Sequence, residues 1–420
     1  MNFPPKKAAF TLVELMVSTA IIGLIMVVLV AMTNQTSRTW RSTTEKIEKF
    51  QEARDGFEAM TRRLSQATLN TYWDYLDQNG KPRDTNVNDT AFKTFIPYMY
   101  GRASNLRFAS GPMSQQYAAS GVAQLGEAGR LRPTHGIFFQ APFGVVTPTD
   151  AQSSTTDYGV MNNLLNTWGY FVEADIDTTR PAFVNMPGAH VLQRWRSRLM
   201  EFMLPSEQMN LFDYGPANTT YGNAYGWFNL FTPVQPQGSG IVRPVHVLAE
   251  NVVALVLAPK LSNADQAALN QLNGGTPVLL SANYAYDSTL TVNPGPNGYA
   301  GGNSNIAASI NPKNQLPPIV SVTMVAIDDR SAERLFDKYC TPFNPDGSGG
   351  PSRLSPSPAE ATMGLSNYMT GLFTNSLTLE TTNGDLAVLE AALTGEGCTY
   401  RVFTTNVTIR GAKWSRSQTK

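Results

Sequence analysis

From Phe10 to Met32 the chain is apolar at nearly every position, and only Thr11, Glu14, Ser18 and Thr19 interrupt the run with polar groups. As a helix these 23 residues rise roughly 34 Å. A bilayer core of about 30 Å needs around 20 apolar residues, so residues 10–32 predict a membrane-spanning helix. Nothing in the sequence stops that helix at the membrane surface. No proline occurs between Lys6 and Lys81, and Gly23 and Gly56 are the only glycines before Gly80. Beyond the apolar run, Phe50, Phe57 and Leu64 recur every seven residues, as do Ala53, Met60 and Ala67. Glu48, Lys49, Glu52, Arg54, Asp55, Glu58, Arg62 and Arg63 fill the positions between them. One apolar stripe on a charged helix needs a surface to cover it. Three heptads are short for a two-stranded coiled coil, so the stripe is expected to pack on the chain's own sheet. The long helix should therefore occupy residues 10–70.

After Asn70 the texture changes to short apolar runs separated by turn residues. Ile137 to Gln140, Gly169 to Glu173, Val245 to Leu257, Ile319 to Ile327 and Tyr400 to Ile409 predict strands. Val320, Val322, Met324 and Ala326 share one face of the fourth, and Phe403, Val407 and Ile409 share one face of the fifth. Helices are expected over Leu192 to Met203, over Asn263 to Leu272 with Ser262 and Asp265 at its start, and from Asp328 or Asp329 to about Lys338. Long Gly-, Pro- and Asn-rich stretches read as loop insertions near residues 110–129, 212–240, 274–315 and 341–358. The expected fold class is α+β: a long N-terminal transmembrane helix packed on an antiparallel β-sheet head that takes up residues 71–420.

Glu14 is the anomaly in the apolar run. A carboxylate in a hydrocarbon core costs on the order of 3 kcal/mol or more, and such groups are functional candidates by default. The flanking residues are also unlike those of an ordinary secretory signal, in which small residues follow the apolar run and mark the cleavage site. Here Lys6-Lys7-Ala8-Ala9 precede it. Cleavage after Ala9 would remove a basic leader, residues 1–9, and leave the spanning helix on the mature chain. The segment Ala9-Phe10-Thr11-Leu12-Val13-Glu14-Leu15 resembles the prepilin motif of type IV pilins and type II secretion pseudopilins. That resemblance implies a prepilin peptidase cutting between Ala9 and Phe10, N-methylation of Phe10, and a role for Glu14 in subunit assembly. The departure from the family pattern is Ala9 where the small residue is usually glycine. The layout of the remainder is similar to the large minor subunits, the PilW-like and GspJ-like group, which carry a long N-terminal helix on an antiparallel sheet. Gly169 to Glu173, Glu250 to Leu257 and Leu316 to Val320 also resemble the Verru_Chthon cassette protein C family.

Composition fits a translocated head. Charged residues are 15% of the chain, below the roughly 25% usual in soluble domains. Loss of the leader removes Lys6 and Lys7 and leaves 30 basic against 32 acidic side chains, which gives no general attraction to nucleic acid. Arg401, Arg410, Lys413, Arg416 and Lys420 make the C-terminal end basic, too few charges for a nucleic-acid partner. The two cysteines, Cys340 and Cys398, could bridge in an oxidising space or remain as separate thiols.

No catalytic motif is present: the sequence holds no HExxH, GxSxG, Walker loop or GxGxxG after a strand. His246 and Glu250 stand four apart in a strand-like run, and His135 and His190 lie far off in sequence, so no metal set and no cofactor is expected. Asp77-Gln78-Asn79-Gly80 and Asn344-Pro345-Asp346-Gly347 carry oxygen ligands of the kind calcium takes, but Asx-Gly stretches more commonly make turns. The aromatics Phe212, Tyr214, Tyr221, Tyr225, Trp227, Phe228 and Phe231 read as an insertion folded on its own rings, with a glycan- or partner-binding surface as the alternative.

The sequence reading is therefore a structural, non-enzymatic subunit anchored by one pass in the inner membrane. The C-terminal head lies in the periplasm or in an extracellular filament, and the partners are a prepilin peptidase and other pilin or pseudopilin subunits. The competing reading is a membrane-tethered extracytoplasmic enzyme or glycan-binding module that uses the same sorting signal.

Overall fold

In the computed structural model, residues 12–79, 83, 90–113, 134–145, 164–176, 195–204, 245–272, 274–275, 279–281, 283–290, 310–339, 372–373 and 384–414 are described. The chain divides into two compact units, Met1–Gln51 and Glu52–Lys420. One helix, α1 (Leu12–Leu64), supplies the described part of the first unit and the opening of the second. Glu14 sits in its first turn and Arg62 and Arg63 in its last, each sign matched to the helix dipole. Several hydroxyls of the first unit are satisfied within the helix. Ser18 and Thr19 both donate to the Leu15 carbonyl at 3.0 Å, and Thr33 donates to that of Leu29 at 2.8 Å. Ser18 and Thr19 in the apolar run therefore need no water.

In the second unit the predicted stripe is buried: Ala53, Phe57, Met60, Leu64 and Ala67 are all covered. Gly56 lets α1 approach the sheet closely, because a Cβ there would lie 3.3 Å from Ala249 Cβ. The helix ends at Leu64. Thr68 then donates its N–H to Gln140 O at 2.9 Å, and Arg410 N–H returns to Ser65 O at 3.0 Å. This pins the exit of the helix to the sheet and to the C-terminal strand together.

Eleven antiparallel strands form three sheets among the described residues. They are β1 (Tyr72–Leu76), β2 (Met99–Ala103), β3 (Ala109–Pro112), β4 (His135–Pro142), β5 (Leu165–Ile176), β6 (Trp195–Leu204), β7 (Val245–Glu250), β8 (Val252–Lys260), β9 (Tyr286–Asp287), β10 (Ile319–Ile327) and β11 (Tyr400–Thr408). The largest sheet has the order β7-β6-β5-β4-β3-β9, a second has β11-β10-β8, and β1-β2 form a ribbon. The further helices are α2 (Thr90–Lys93), α3 (Asn263–Leu272), α4 (Asp329–Tyr339) and α5 (Asp385–Gly395). Strand β8 is buried throughout Val252–Ala258. On one side Val253, Ala254, Val256 and Ala258 pack with Ala332 and Leu335 of α4 and Leu389 and Leu393 of α5. On the other, β8 is tied to the six-stranded sheet by Leu255 N–H to Thr134 Oγ1 at 3.1 Å and by Ser197 Oγ to Val252 O. A second core of Phe138, Phe171, Met200, Phe202 and Leu204 fills the opposite face of the six-stranded sheet.

The α+β class and the long helix on antiparallel sheets are as read from the sequence. So are α3, where Ser262 Oγ accepts the Asp265 N–H at 3.2 Å and donates to its carboxylate at 2.6 Å, and α4, where Asp328 accepts the Ser331 N–H at 3.0 Å. Two expectations are corrected. The helix expected over Leu192 to Met203 is strand β6, paired with β5 at ten positions from Trp195↔Ile176 to Leu204↔Thr167. Its Arg, Leu, Met and Glu favour helix in isolation, and the ladder to β5 overrides that preference. The single strand expected from Val245 to Leu257 is two strands in different sheets, broken at Asn251, whose φ is 57°. Asparagine tolerates that left-handed conformation better than most residues. Its backbone carbonyl accepts Ile327 N–H, and its side chain donates to Asp329. The loops expected near 110–129 and 274–315 give part of their length to β3 and β9, whereas 212–240 and 341–358 lie outside the described residues.

Candidate membrane anchor and assembly site

Every residue from Leu12 to Met32 is exposed, including Leu15, Ile21, Ile22, Leu24, Ile25 and Val28. The stretch passes the length and composition requirements for a membrane span. In water such a surface is unfavourable: full burial of one large aliphatic side chain is worth about 1.5–3 kcal/mol, and more than a dozen lie open here. The helix is therefore built for lipid or for other helices. Glu14 stands on this surface one turn into the helix, the single acid of the apolar run. Ala9, Phe10 and Thr11 lie outside the described residues.

Residues 4–30 match the prokaryotic N-terminal methylation motif. This match covers the basic leader and most of the apolar helix. No curated protein and no solved structure matches the chain. The motif marks a prepilin-type processed protein and implies processing by a prepilin peptidase and assembly with pilin-type subunits. The apolar N-terminal helix is compatible with single-pass anchoring of such a protein.

The other residues singled out by sequence are dispersed. Cys398 is a free, buried thiol in the α4–α5 core, its pKa raised by burial, while Cys340 lies outside the described residues. His246 and Glu250 lie on β7, and no group of three or more His, Cys, Asp or Glu among the described residues is placed to hold a metal ion. Asp77 Oδ1 accepts the Asn79 N–H at 2.8 Å, the turn-forming use of such a stretch. Asn344 to Gly347 and the aromatics from Phe212 to Phe231 lie outside the described residues. Of the basic C-terminal end, Arg401 and Arg410 are exposed and the Lys413 carbonyl accepts from Arg102 at 2.7 Å.

Sequence reasoning missed the polar node that holds α1 to the head. Arg63 of α1 pairs with Glu201 of β6 and donates to the Tyr170 hydroxyl at 3.3 Å. Tyr170 and the Trp168 indole each donate to the same Glu201 oxygen at 2.8 Å. The Arg63 guanidinium also lies 4.8 Å from the Trp168 ring centre. Burial first, and then the Glu201 charge, push the Tyr170 phenol far above its ordinary range, so it stays a donor. A buried pair, Arg107 with Asp287, similarly fastens β9 beside β3 through Nε–Oδ1 at 3.2 Å and Nη2–Oδ2 at 2.5 Å. Alternation of Trp168, Tyr170 and Glu201 with apolar neighbours was the available signal. It is readable only once β6 is known to be a strand.

Proposed function

We propose that this chain is a minor, low-copy structural subunit of a type IV pilus or type II secretion-like filament. The carrying observation is the methylation motif on a helix whose described apolar residues, 12–32, are all exposed and hold one acid. In this reading a prepilin peptidase removes residues 1–9 and methylates the new amine at Phe10. The mature helix stays in the inner membrane through residues 10–32, with the head of residues 71–420 in the periplasm, until assembly draws the subunit into a filament. Its layout of one long helix on antiparallel sheets supports the large PilW-like and GspJ-like subunits as the nearest class, with the Verru_Chthon cassette protein C proteins as a narrower candidate. The size of the head supports a minor role, because a filament tiling hundreds of copies favours compact heads. Intact-mass and N-terminal analysis of membrane-extracted protein tests the processing. A chain beginning at methylated Phe10 is expected; one beginning at Met1, or anywhere past Met32, overturns the reading.

A further inference from the structure

The β1–β2 ribbon has an open face made of aromatic rings. Its register pairs Trp73 with Arg102 and Tyr75 with Tyr100, and just before β2 Tyr98 N–H donates to Leu76 O at 2.8 Å. With side chains alternating along a strand, Trp73 and Tyr75 of β1 share one face with Tyr100 and Arg102 of β2, and Tyr98 immediately precedes β2. The rings are exposed by 65% at Trp73, 49% at Tyr75, 69% at Tyr98 and 64% at Tyr100. Tyr75 and Tyr100 lie 4.5 Å apart between ring centres, and their hydroxyls are joined at 2.7 Å. On the opposite face a Cβ on Gly101 would lie 2.1 Å from Leu76 Cδ1, so Leu76 lies across that glycine. The ribbon is also fixed to the head. Arg102 Nη1 donates to Lys413 O at 2.7 Å, and Asn314 donates to Arg102 O at 2.6 Å.

We propose that this face is a platform for a neutral carbohydrate. The exposed ring area is on the order of 500 Å², below the roughly 800 Å² per partner of a standard protein interface. A nucleic acid would stack on such rings but needs cations along its backbone, and the one guanidinium of the face already serves as a clamp. A sugar ring fits what remains. The C–H face of a pyranose is apolar and weakly positive, and it lies against the negative face of an aromatic ring, while the Tyr75–Tyr100 hydroxyl pair offers both a donor and an acceptor to sugar hydroxyls. Rings held on a paired ladder lose little freedom on binding. No acid stands at the paired positions of this face, Trp73, Tyr75, Tyr100 and Arg102, which favours uncharged glycans. This inference is independent of the filament reading.

The test uses the full-length chain in detergent, incubated with insoluble cellulose, chitin, curdlan and mannan, and measures the protein left in solution. Retention by at least one of these is expected. Trp73→Ala and Tyr100→Ala should each weaken it by about tenfold. Tyr72→Ala, on the other face of the ribbon, should leave it unchanged, and the melting temperatures of all three should match that of the parent chain. Retention by none of the four, or equal retention by every variant, overturns the proposal. So does a loss of co-purifying pilin-type proteins, rather than of polysaccharide, in the Trp73 and Tyr100 variants, since that makes the face a protein interface.

Discussion

His135 is buried on β4, where its Nδ1 accepts the Leu257 N–H at 3.0 Å and its Nε2 lies 3.0 Å from the Phe373 carbonyl. Those partners require the neutral Nε2–H tautomer. Burial holds its pKa down to about 4 from an ordinary 6.5, against a contrary pull from the hydrogen bond to the Phe373 carbonyl. In the unfolded chain the imidazole takes a proton below about 6.5; in the folded head it does so only below about 4. Across that window the unfolded state binds more protons, so stability falls as pH falls. The loss from this one group reaches about 3 kcal/mol by pH 4. Unfolding of the full chain followed at pH 7, 5.5 and 4.5 should show this slope. A His135→Gln variant, less stable at pH 7, should lose stability less steeply over the same interval. Parallel slopes for the two proteins would remove His135 as a source of acid sensitivity.

At the scale of elements, α1 is held to the head by an apolar stripe and one polar node. The stripe was legible because seven-residue recurrence survives any tertiary context. The node was not, because Glu201 lies in a segment whose composition favours helix, and only pairing with β5 places Trp168, Tyr170 and Glu201 on one face. Asn251 was hidden in the same way: one polar residue in a long apolar run gives little warning that the chain changes sheets there. Strands β1, β2, β3 and β9 and helix α5 were missed because their segments are short or lack a clean period. The node predicts a measurable cost. Glu201→Ala leaves Arg63, Tyr170 and Trp168 donors without their shared acceptor. With Arg63 one-third exposed, solvent screens part of the charge effect, and the expected destabilisation is about 1–3 kcal/mol. Glu201→Gln, which keeps an acceptor and removes the charge, should fall between. Calorimetric melting of the three proteins checks this, and equal melting temperatures would mean that the stripe alone docks the helix.

For the whole molecule, Glu14 is the residue proposed to connect anchoring to assembly. Once residues 1–9 are removed, Phe10 carries a free or methylated amine, positively charged near neutral pH. In the membrane the apolar run is solvated by lipid; in a filament other helices replace the lipid, and the amine of one subunit must enter an apolar bundle. A buried cation there requires an opposite charge, and residues 10–32 offer only Glu14. The prepilin resemblance makes the partner amine that of a neighbouring subunit. Removing one partner of a buried pair typically costs about 3–5 kcal/mol, a loss of several hundredfold or more in an association constant. Glu14→Ala should therefore insert into the membrane as well as the parent, or better, since a carboxylate in lipid is itself costly, and yet fail to join a filament or its initiating complex. The alternative is that Glu14 serves only recognition by the peptidase. Leader cleavage and co-purification with other prepilin-motif proteins, measured side by side for parent and variant, separate the two. Cleavage intact with assembly lost supports the pairing role. Cleavage intact with assembly undiminished rules it out, and loss of cleavage that an already processed Glu14→Ala chain overcomes assigns the carboxylate to the peptidase instead.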